Sequence, residues 1–217
     1  NYDENANTDD WSCVYPEIEL NVDNITQDPF NCDVAATECN LNGMWITSIA
    51  SWTFINHASL LSVDLSSNYI SSLEDWDFYW LSGLVELDLY QNKITGIENW
   101  DFNWLTASWL YIDIWENNIS KLYSWTFNGL SNLNELDIYA CPITEIETGA
   151  FYWLDNIQYL YLSNLKIRTL TPWMFVWLWS SLESLGFNDW EYNLYPAILE
   201  EIQAWTFDNL TWLKLLS

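Results

Sequence analysis

Basic residues are scarce in this chain, and their scarcity limits the choice of partner. The 217 residues contain 5 Lys and Arg against 31 Asp and Glu, which gives a net charge of −26. A surface of this charge repels phosphate backbones and anionic lipids, so we expect no nucleic acid and no membrane surface as a partner. Basic proteins, cations and uncharged glycans are compatible with it. A strongly acidic surface also keeps proteins soluble in high salt, and this second interpretation needs no ligand.

Residues that perform catalysis are few as well. His57 is the single histidine, and we expect it to make a surface or cap contact. The chain has no local nucleophile signature, no His/Cys metal-ligand spacing and no glycine-rich phosphate loop, so we expect no enzyme. No run of about twenty apolar residues occurs, which predicts no membrane insertion. No basic, apolar leader stands at Asn1, so we expect a signal peptide either removed or never present.

What is present is a sequence pattern that recurs about every twenty-four residues. The stretches Leu60–Ile70 and Leu84–Ile94 share the template LxxLxLxxNxI. The alternating LxL predicts a short strand with one buried side, and no copy can bury its apolar side alone, so the copies must stack. The central aliphatic residue recurs at steps of 24 or 25, at Val63, Leu87, Ile112, Leu136, Leu160 and Leu185. Phenylalanines follow in phase, at Phe54, Phe78, Phe102, Phe127, Phe151, Phe175 and Phe207.

These residues resemble the extracellular type of leucine-rich repeat, from about Leu41 to the C-terminus. The resemblance implies the α/β class and a right-handed solenoid, or horseshoe, with a parallel concave β-sheet and an irregular or short-helical convex side. It implies about six complete repeats in residues 41–217, truncated at the C-terminus. Residues 1–40 fit no repeat, and we interpret them as an acidic tail followed by a cysteine-containing cap. Residues 193–201 form an insertion, and Pro196 predicts a helical turn over Ala197–Ile202.

The template Asn and the cysteines predict specific contacts. The Asn, present at Asn68, Asn92 and Asn117, satisfies backbone groups where the chain leaves the strand. It is replaced by Met44, Cys141, Leu165 and Trp190. We therefore expect this series of Asn hydrogen bonds to weaken toward the C-terminal half. Cap cysteines predict a disulfide, Cys13–Cys32 or Cys32–Cys39, formed in an oxidising compartment. We expect Cys141 to be a buried, reduced thiol, because it lies on the order of 20 Å from the cap.

Tryptophan recurs at two repeat positions that glycine also occupies. Glycine is used for its missing Cβ and its access to positive φ, whereas Trp is the bulkiest side chain. Three explanations stay open: a natural ladder on the convex side, an engineered one, or UGA codons that one genetic code reads as Trp and another as Gly. Two residues before the template Phe stand Trp52, Trp76, Trp100, Trp125, Gly149, Trp173 and Trp205. Directly before the template Leu stand Trp80, Trp104, Gly129, Trp153 and Trp177.

The three explanations predict different structures. Natural tryptophans should stack in ordered ladders with ordinary backbone angles. Tryptophans in place of glycine should be splayed into solvent, some of them at positive φ.

The strand residues that point outward should form columns on the concave face, about 4.8 Å apart. The residue inside each LxL gives Asp64, Asp88, Asp113 and Asp137, followed by Tyr161. Neighbouring columns add Tyr90, Tyr111, Tyr139 and Tyr159. Tyrosines supply rigid contact area and a hydroxyl, and carboxylates supply charge, so these nine residues are the candidate ligand-binding site. We expect no cofactor, although Ca²⁺ at Asp88, Asp113 and Asp137 is an open alternative.

Two functions from different classes follow from this pattern. The first is an extracellular recognition module, secreted or at the cell surface, that binds a protein or glycan on the concave face. The second is a structural or cell-surface protein that assembles through its Trp-rich convex face. Replacing Tyr90, Tyr111 and Tyr139 together should separate them, because only the first function depends on these side chains.

Overall fold

The repeats form a parallel β-solenoid. The structure, a computed structural model, describes residues 17–163, 165–178, 181–187 and 199–216. Eight of its strands make one parallel main sheet, in the order β14-β12-β10-β8-β6-β5-β4-β2. These strands are β2 (Glu38–Asn40), β4 (Ser62–Asp64), β5 (Glu86–Asp88), β6 (Leu110–Asp113), β8 (Leu133–Asp137), β10 (Tyr159–Tyr161), β12 (Ser184–Gly186) and β14 (Leu215–Leu216).

Six further strands lie outside the main sheet, on what we call the turn side. They pair two by two: β1 with β3, β7 with β9, and β11 with β13. Their bounds are β1 (Ile18–Leu20), β3 (Ile46–Ile49), β7 (Lys121–Leu122), β9 (Glu145–Ile146), β11 (Thr169–Leu170) and β13 (Glu201–Ile202). The helical turn expected over Ala197–Ile202 is wrong at its end, since Glu201 and Ile202 form β13; its start lies outside the described residues.

Each repeat contributes one strand to the main sheet, and the central template residues of neighbouring strands pair in register, although the pairing of β6 with β8 shifts by one residue between Leu110 and Tyr111. Val63 pairs with Leu87, Leu87 with Ile112, and Leu136 with Leu160. This confirms the expected stacking of adjacent repeats. The sheet begins with Cys39 beside Val63, so the end of the cap region supplies its first strand.

The core lies between the main sheet and the turn side. The template Leu and Ile residues are fully buried, and the template phenylalanines stack behind them. Ring centroids of consecutive phenylalanines are 6.5 Å apart for Phe54–Phe78 and 6.0 Å for Phe78–Phe102. Each buried ring or aliphatic side chain contributes about 1.5–3 kcal/mol, so every added repeat supplies several such contributions against its ordering entropy.

The template Asn residues are buried and tie neighbouring repeats together. Asn92 donates through Nδ2 to the carbonyl oxygens of Leu65 (2.9 Å) and Leu89 (3.1 Å), and its Oδ1 accepts a hydrogen bond from the Ile70 N–H (3.0 Å). Asn68 and Asn117 repeat this arrangement. The Asn therefore satisfies backbone groups that would otherwise be buried unpaired, as the sequence predicts.

The turn side is irregular, and no helix occurs in the part of the chain that the structure describes. Its segments make isolated i to i−3 hydrogen bonds, such as Ile55 N–H to Trp52 C=O and His57 N–H to Phe54 C=O. Because these bonds do not continue into a consecutive series, no helical turn propagates. Of the two expected forms of the convex side, the irregular one is found and the short-helical one is not.

The cap is closed by a disulfide between Cys32 and Cys39, with Cα atoms 5.2 Å apart. This confirms one of the two expected pairings, and Cys13 lies outside the described residues. Cys141 is a buried free cysteine, as expected. His57 is buried, and its Nε2 lies 3.2 Å from the Cys32 carbonyl oxygen, so the expected cap contact is present.

Candidate ligand-binding face

The outward residues of the main sheet form straight columns, which we call the sheet face. Asp64 pairs in register with Asp88, Asp88 with Asp113, and Asp113 with Asp137. Tyr161 continues this acidic column beyond Asp137. The neighbouring column contains Glu86, Tyr111, Glu135 and Tyr159 in the same order. The structure therefore brings together the carboxylates and strand tyrosines that the sequence assigns to one face.

Each aspartate of the acidic column also holds the chain where it leaves its strand. Its Oδ1 accepts a hydrogen bond from the backbone N–H two residues later: Ser66 for Asp64 (2.9 Å), Tyr90 for Asp88 (2.8 Å), Trp115 for Asp113 (2.8 Å) and Tyr139 for Asp137 (3.0 Å). Asn40 occupies the same position of β2, and its amide oxygen accepts the same bond from Asn42 N–H at 3.1 Å. A neutral amide can therefore perform this structural task.

Three aromatic rings line the edge of the acidic column, and we call Tyr90, Trp115 and Tyr139 the aromatic cluster. The Trp115 ring lies 4.6 Å from Tyr90 and meets Tyr139 edge-on at 5.0 Å. Tyr139 is only 8% exposed, so it supports the cluster more than it offers surface. Tyr111 donates from its hydroxyl to Asp113 Oδ2 at 3.1 Å, which links the tyrosines to the acidic column.

The stacked carboxylates are hard to ionise. Burial, followed by the charges of Asp113 and Glu135, raises the pKa of Asp137 to about 8. Burial likewise raises the pKa of Asp88 to about 6, and of Asp113 and Glu135 above their ordinary values. Charges held this close at low solvent exposure destabilise each other, and a cation placed over them would remove that penalty.

The sheet-face columns contain no Lys or Arg in the described strands. Four ion pairs lie on other parts of the chain: Lys121 pairs with Glu145 and Glu147, Arg168 with Glu200, and Lys214 with Glu183. At the first strands, Glu38, Asp64, Glu86 and Asp88 line a shallow depression of about 170 Å³. The sheet face is thus acidic without internal compensation.

No group of three or more His, Cys, Asp or Glu is disposed to hold a metal ion among the described residues, including Asp88, Asp113 and Asp137. Within the same residues, no helix has the length and apolar character needed to cross a membrane.

The turn side carries exposed tryptophans that combine features of two competing explanations. Trp52 and Trp76 stack at 5.4 Å, and Trp76 stacks with Trp104 at 5.6 Å, as a ladder would. Seven tryptophans, however, have positive φ, as replacement of glycine would predict: Trp45, Trp52, Trp80, Trp109, Trp125, Trp153 and Trp205.

A sequence profile of the BspA-type leucine-rich repeat region matches the chain in overlapping stretches, residues 12–106, 47–183 and 102–216. The chain belongs to the BspA-type leucine-rich repeat family. This family assignment confirms the resemblance to leucine-rich repeats that the template carries. No curated protein is significantly similar to the chain in sequence.

Solved structures of leucine-rich repeat receptors have the same fold. The TLR13–ssRNA13 complex is 26% identical with a TM-score of 0.71, over 83% of this chain and 24% of that one. The Drosophila Toll–Spatzle complex is 19% identical with a TM-score of 0.73, over 91% and 25%. The chain thus spans about a quarter of the length of these proteins.

Sequence reasoning missed two buried acids on the turn side. Asp77 and Asp101 directly precede the template Phe, where Thr53, Thr126 and Thr206 stand in other repeats. Both are almost fully buried, and burial raises the pKa of each to about 7. The signal in the sequence was the recurrence of Asp directly before the template Phe. In these two repeats Asp takes the place that Thr has in the same turn of other repeats.

Proposed function

We propose that the chain is an extracellular recognition module that binds a protein ligand through the sheet face, and that basic side chains of the ligand contact the acidic column. The observation that carries this proposal is the contrast between Asn40 and the four aspartates. Asn40 makes the same strand-end hydrogen bond without a charge, so the fold does not need the charges at Asp64, Asp88, Asp113 and Asp137.

A ligand with Lys or Arg side chains would compensate the charges of the acidic column. A cation beside Asp113 or Asp137 would favour the ionised form of these partly desolvated carboxyl groups, because Coulomb attraction is stronger where solvent screens it less. Tyr111, Tyr159 and the aromatic cluster supply rigid, amphipathic area beside those charges. An uncharged glycan could stack on the same rings but would leave the carboxylates uncompensated.

Nucleic acid fits this face poorly. Phosphate backbones bind mainly through Lys and Arg, and the described sheet-face columns present carboxyl groups that repel phosphate, with tyrosine hydroxyls as the neutral donors. RNA binding, which the TLR13 complex with single-stranded RNA suggests, is therefore only an alternative that the binding test includes. The Cys32–Cys39 disulfide supports a secreted or cell-surface setting, because disulfides persist in oxidising compartments. We propose no catalytic activity and no cofactor.

The binding test compares two variants in which three carboxyl groups become amides. Asp88→Asn, Asp113→Asn and Asp137→Asn together remove sheet-face charges while keeping the strand-end hydrogen-bond acceptor. Glu17→Gln, Asp28→Asn and Asp208→Asn remove three exposed charges elsewhere. Binding of poly-L-lysine and of single-stranded RNA is measured by surface plasmon resonance at two salt concentrations.

We expect poly-L-lysine binding to be lost only when the sheet face is changed. The sheet-face triple should weaken poly-L-lysine binding about 10–100-fold, at roughly 0.5–1 kcal/mol per ion pair, and the control triple should change it little. Equal weakening by both triples would show that only net charge matters and would refute the proposed site. RNA binding that exceeds poly-L-lysine binding would refute the proposed ligand class.

The competing function, assembly through the turn side, is favoured by the exposed aromatic contacts there. Tyr79 lies edge-on to Trp52, Trp76 and Trp104, and Tyr152 packs in the same way against its neighbouring tryptophans. A paired experiment separates the functions. Replacing Tyr90, Tyr111 and Tyr139 with Ala should reduce ligand capture alone, whereas replacing Tyr79 and Tyr152 with Ala should reduce self-association alone. Loss of self-association in the first variant, with capture intact, would favour the structural role.

A further inference from the structure

Positive φ recurs at tryptophans in the same repeat positions as glycines. Two residues before the template Phe, Trp52, Trp125 and Trp205 have φ of 71°, 72° and 66°, and Gly149 has 85°. Directly before the template Leu, Trp80 and Trp153 both have φ of 79°, and Gly129 has 89°. The turn in these repeats therefore requires the left-handed region, whichever residue occupies it.

Positive φ alone does not demand glycine in this fold. Another column of the turn holds Ser67, Gln91, Glu116 and Ala140 at φ between 53° and 56°, so ordinary side chains are accepted there. The two tryptophan columns differ, because their positive-φ members are Trp or Gly with no residue of intermediate size among the described positions. Selection for a side chain would admit Asn, Ser or Ala, which tolerate this backbone better than Trp.

The five tryptophans remain partly exposed despite the strain. Their exposed fractions run from 41% for Trp153 to 73% for Trp205. A Cβ built on Gly149 would meet nothing within 4 Å, so the backbone there faces open space and offers no pocket for a large side chain. Gly129 is tighter, since its Cβ would lie 2.6 Å from Asn103 Oδ1. Neither position is shaped to hold an indole ring.

We infer that glycine is the residue of the living protein at positions 52, 80, 125, 153 and 205, encoded there by UGA codons that the source organism reads as glycine. UGA read under a code that assigns it to tryptophan produces a Trp at each of these positions. Trp and Gly share no shape or polarity, and this shared codon is what makes them interchangeable. The exposed aromatic surface around these positions is then no docking surface, which goes beyond the proposed function and does not depend on it.

Two measurements test the inference on the gene and on the native protein. The gene should carry UGA at all five codons, and tandem mass spectrometry of the native protein should find a glycine residue mass at positions 52 and 125. A UGG codon at any of the five positions overturns the inference. A tryptophan residue mass in the native peptides overturns it whatever the codon.

A recombinant comparison tests the structural reasoning separately. Trp52→Gly, Trp125→Gly and Trp153→Gly together relieve the positive-φ strain. The matched control, Trp76→Gly, Trp100→Gly and Trp173→Gly, removes three exposed tryptophans that have ordinary φ. The first triple should melt about 10 °C above the control triple, because only the control pays for added backbone freedom without relief of strain. Equal melting temperatures, or a lower one for the first triple, would overturn the strain argument.

Discussion

Replacing Asp77 with Asn tests whether acids buried under the turn side destabilise the fold at neutral pH. Asp77 is 1% exposed, and its Oδ2 accepts a hydrogen bond from Glu74 N–H at 2.9 Å. Its Oδ1 is buried without a hydrogen-bond partner. Burial raises the pKa of this carboxyl from 3.8 to about 7, and the charges of Glu74, Asp101 and Asp75 add to the increase. Asn offers the same acceptor to Glu74 N–H but carries no charge at any pH.

The raised pKa fixes the sign of the pH dependence. Between about pH 4 and 7 the unfolded chain releases this proton while the folded chain retains it. The free energy of unfolding therefore falls as the pH rises through this window, and it levels off above the folded-state pKa. The interval from 3.8 to about 7 corresponds to an upper limit of about 4 kcal/mol, at about 1.4 kcal/mol per unit. Asp77→Asn removes this loss.

Urea denaturation at pH 4, 5.5, 7 and 8.5, followed by circular dichroism, measures the effect. The stability difference between Asp77→Asn and the parent should shift in favour of the variant by about 2–4 kcal/mol from pH 4 to pH 8.5. The exposed Asp208→Asn serves as the control and should show no such trend. A stability difference that stays constant across this range would refute the assignment of a raised pKa to buried Asp77.

Three further predictions concern the hydrogen bonds of the template Asn, the core and the cysteines. Asn92→Ala should lower the free energy of unfolding by about 1–3 kcal/mol, because it leaves the buried Ile70 N–H unpaired. The carbonyl oxygens of Leu65 and Leu89 each lose one donor but keep another, from Asn68 and Asn117. Exposed Asn118→Ala should change the free energy of unfolding by less than about 0.5 kcal/mol, and similar losses in both variants would contradict this role of Asn92. Phe102→Ala should cost about 3–5 kcal/mol in the same urea assay, and a cost below about 1 kcal/mol would contradict its place in the phenylalanine stack. Peptide mapping should find Cys32 linked to Cys39. Cys141 should be alkylated only after unfolding, because its thiol is buried and burial raises its pKa to about 12. Alkylation of Cys141 in the folded protein would contradict this prediction.

The repeat register could be predicted because burial in a solenoid is a local, periodic property. Each LxL shows which side chains point inward, and the constant spacing places Val63 beside Leu87 without knowledge of any distant contact. The alignment of Asp64, Asp88, Asp113 and Asp137 follows from the same register. Their use in ligand binding stays a prediction, because register places side chains together but does not say what touches them.

Other features depend on contacts that the template does not encode. The two possible cap pairings had compatible spacings, and only the folded cap places Cys32 within reach of Cys39. The turn side could have been helical or irregular, since the same residues permit both, and isolated turn hydrogen bonds decide for the irregular form. Burial of Asp77 was unexpected because a carboxylate is costly to bury, and its backbone hydrogen bond to Glu74 becomes visible only in the folded turn.

The two faces of the solenoid each carry an unfavourable feature, and the chain itself indicates how each should be interpreted. On the sheet face, Asn40 shows that an uncharged residue closes the strand end as Asp88 does, so retaining four stacked carboxyl groups needs a reason outside the fold. A cationic ligand would be such a reason, because it turns a cost of the unbound state into binding energy. On the turn side, Gly149 adopts the same positive φ as Trp52 and Trp125 without any side chain, and the indole rings of these tryptophans remain 42% and 48% exposed. No ligand is needed to explain that strain, since a codon read as glycine removes it altogether. The acidic column therefore favours a binding partner, whereas the positive-φ tryptophans favour codons that the source organism reads as glycine.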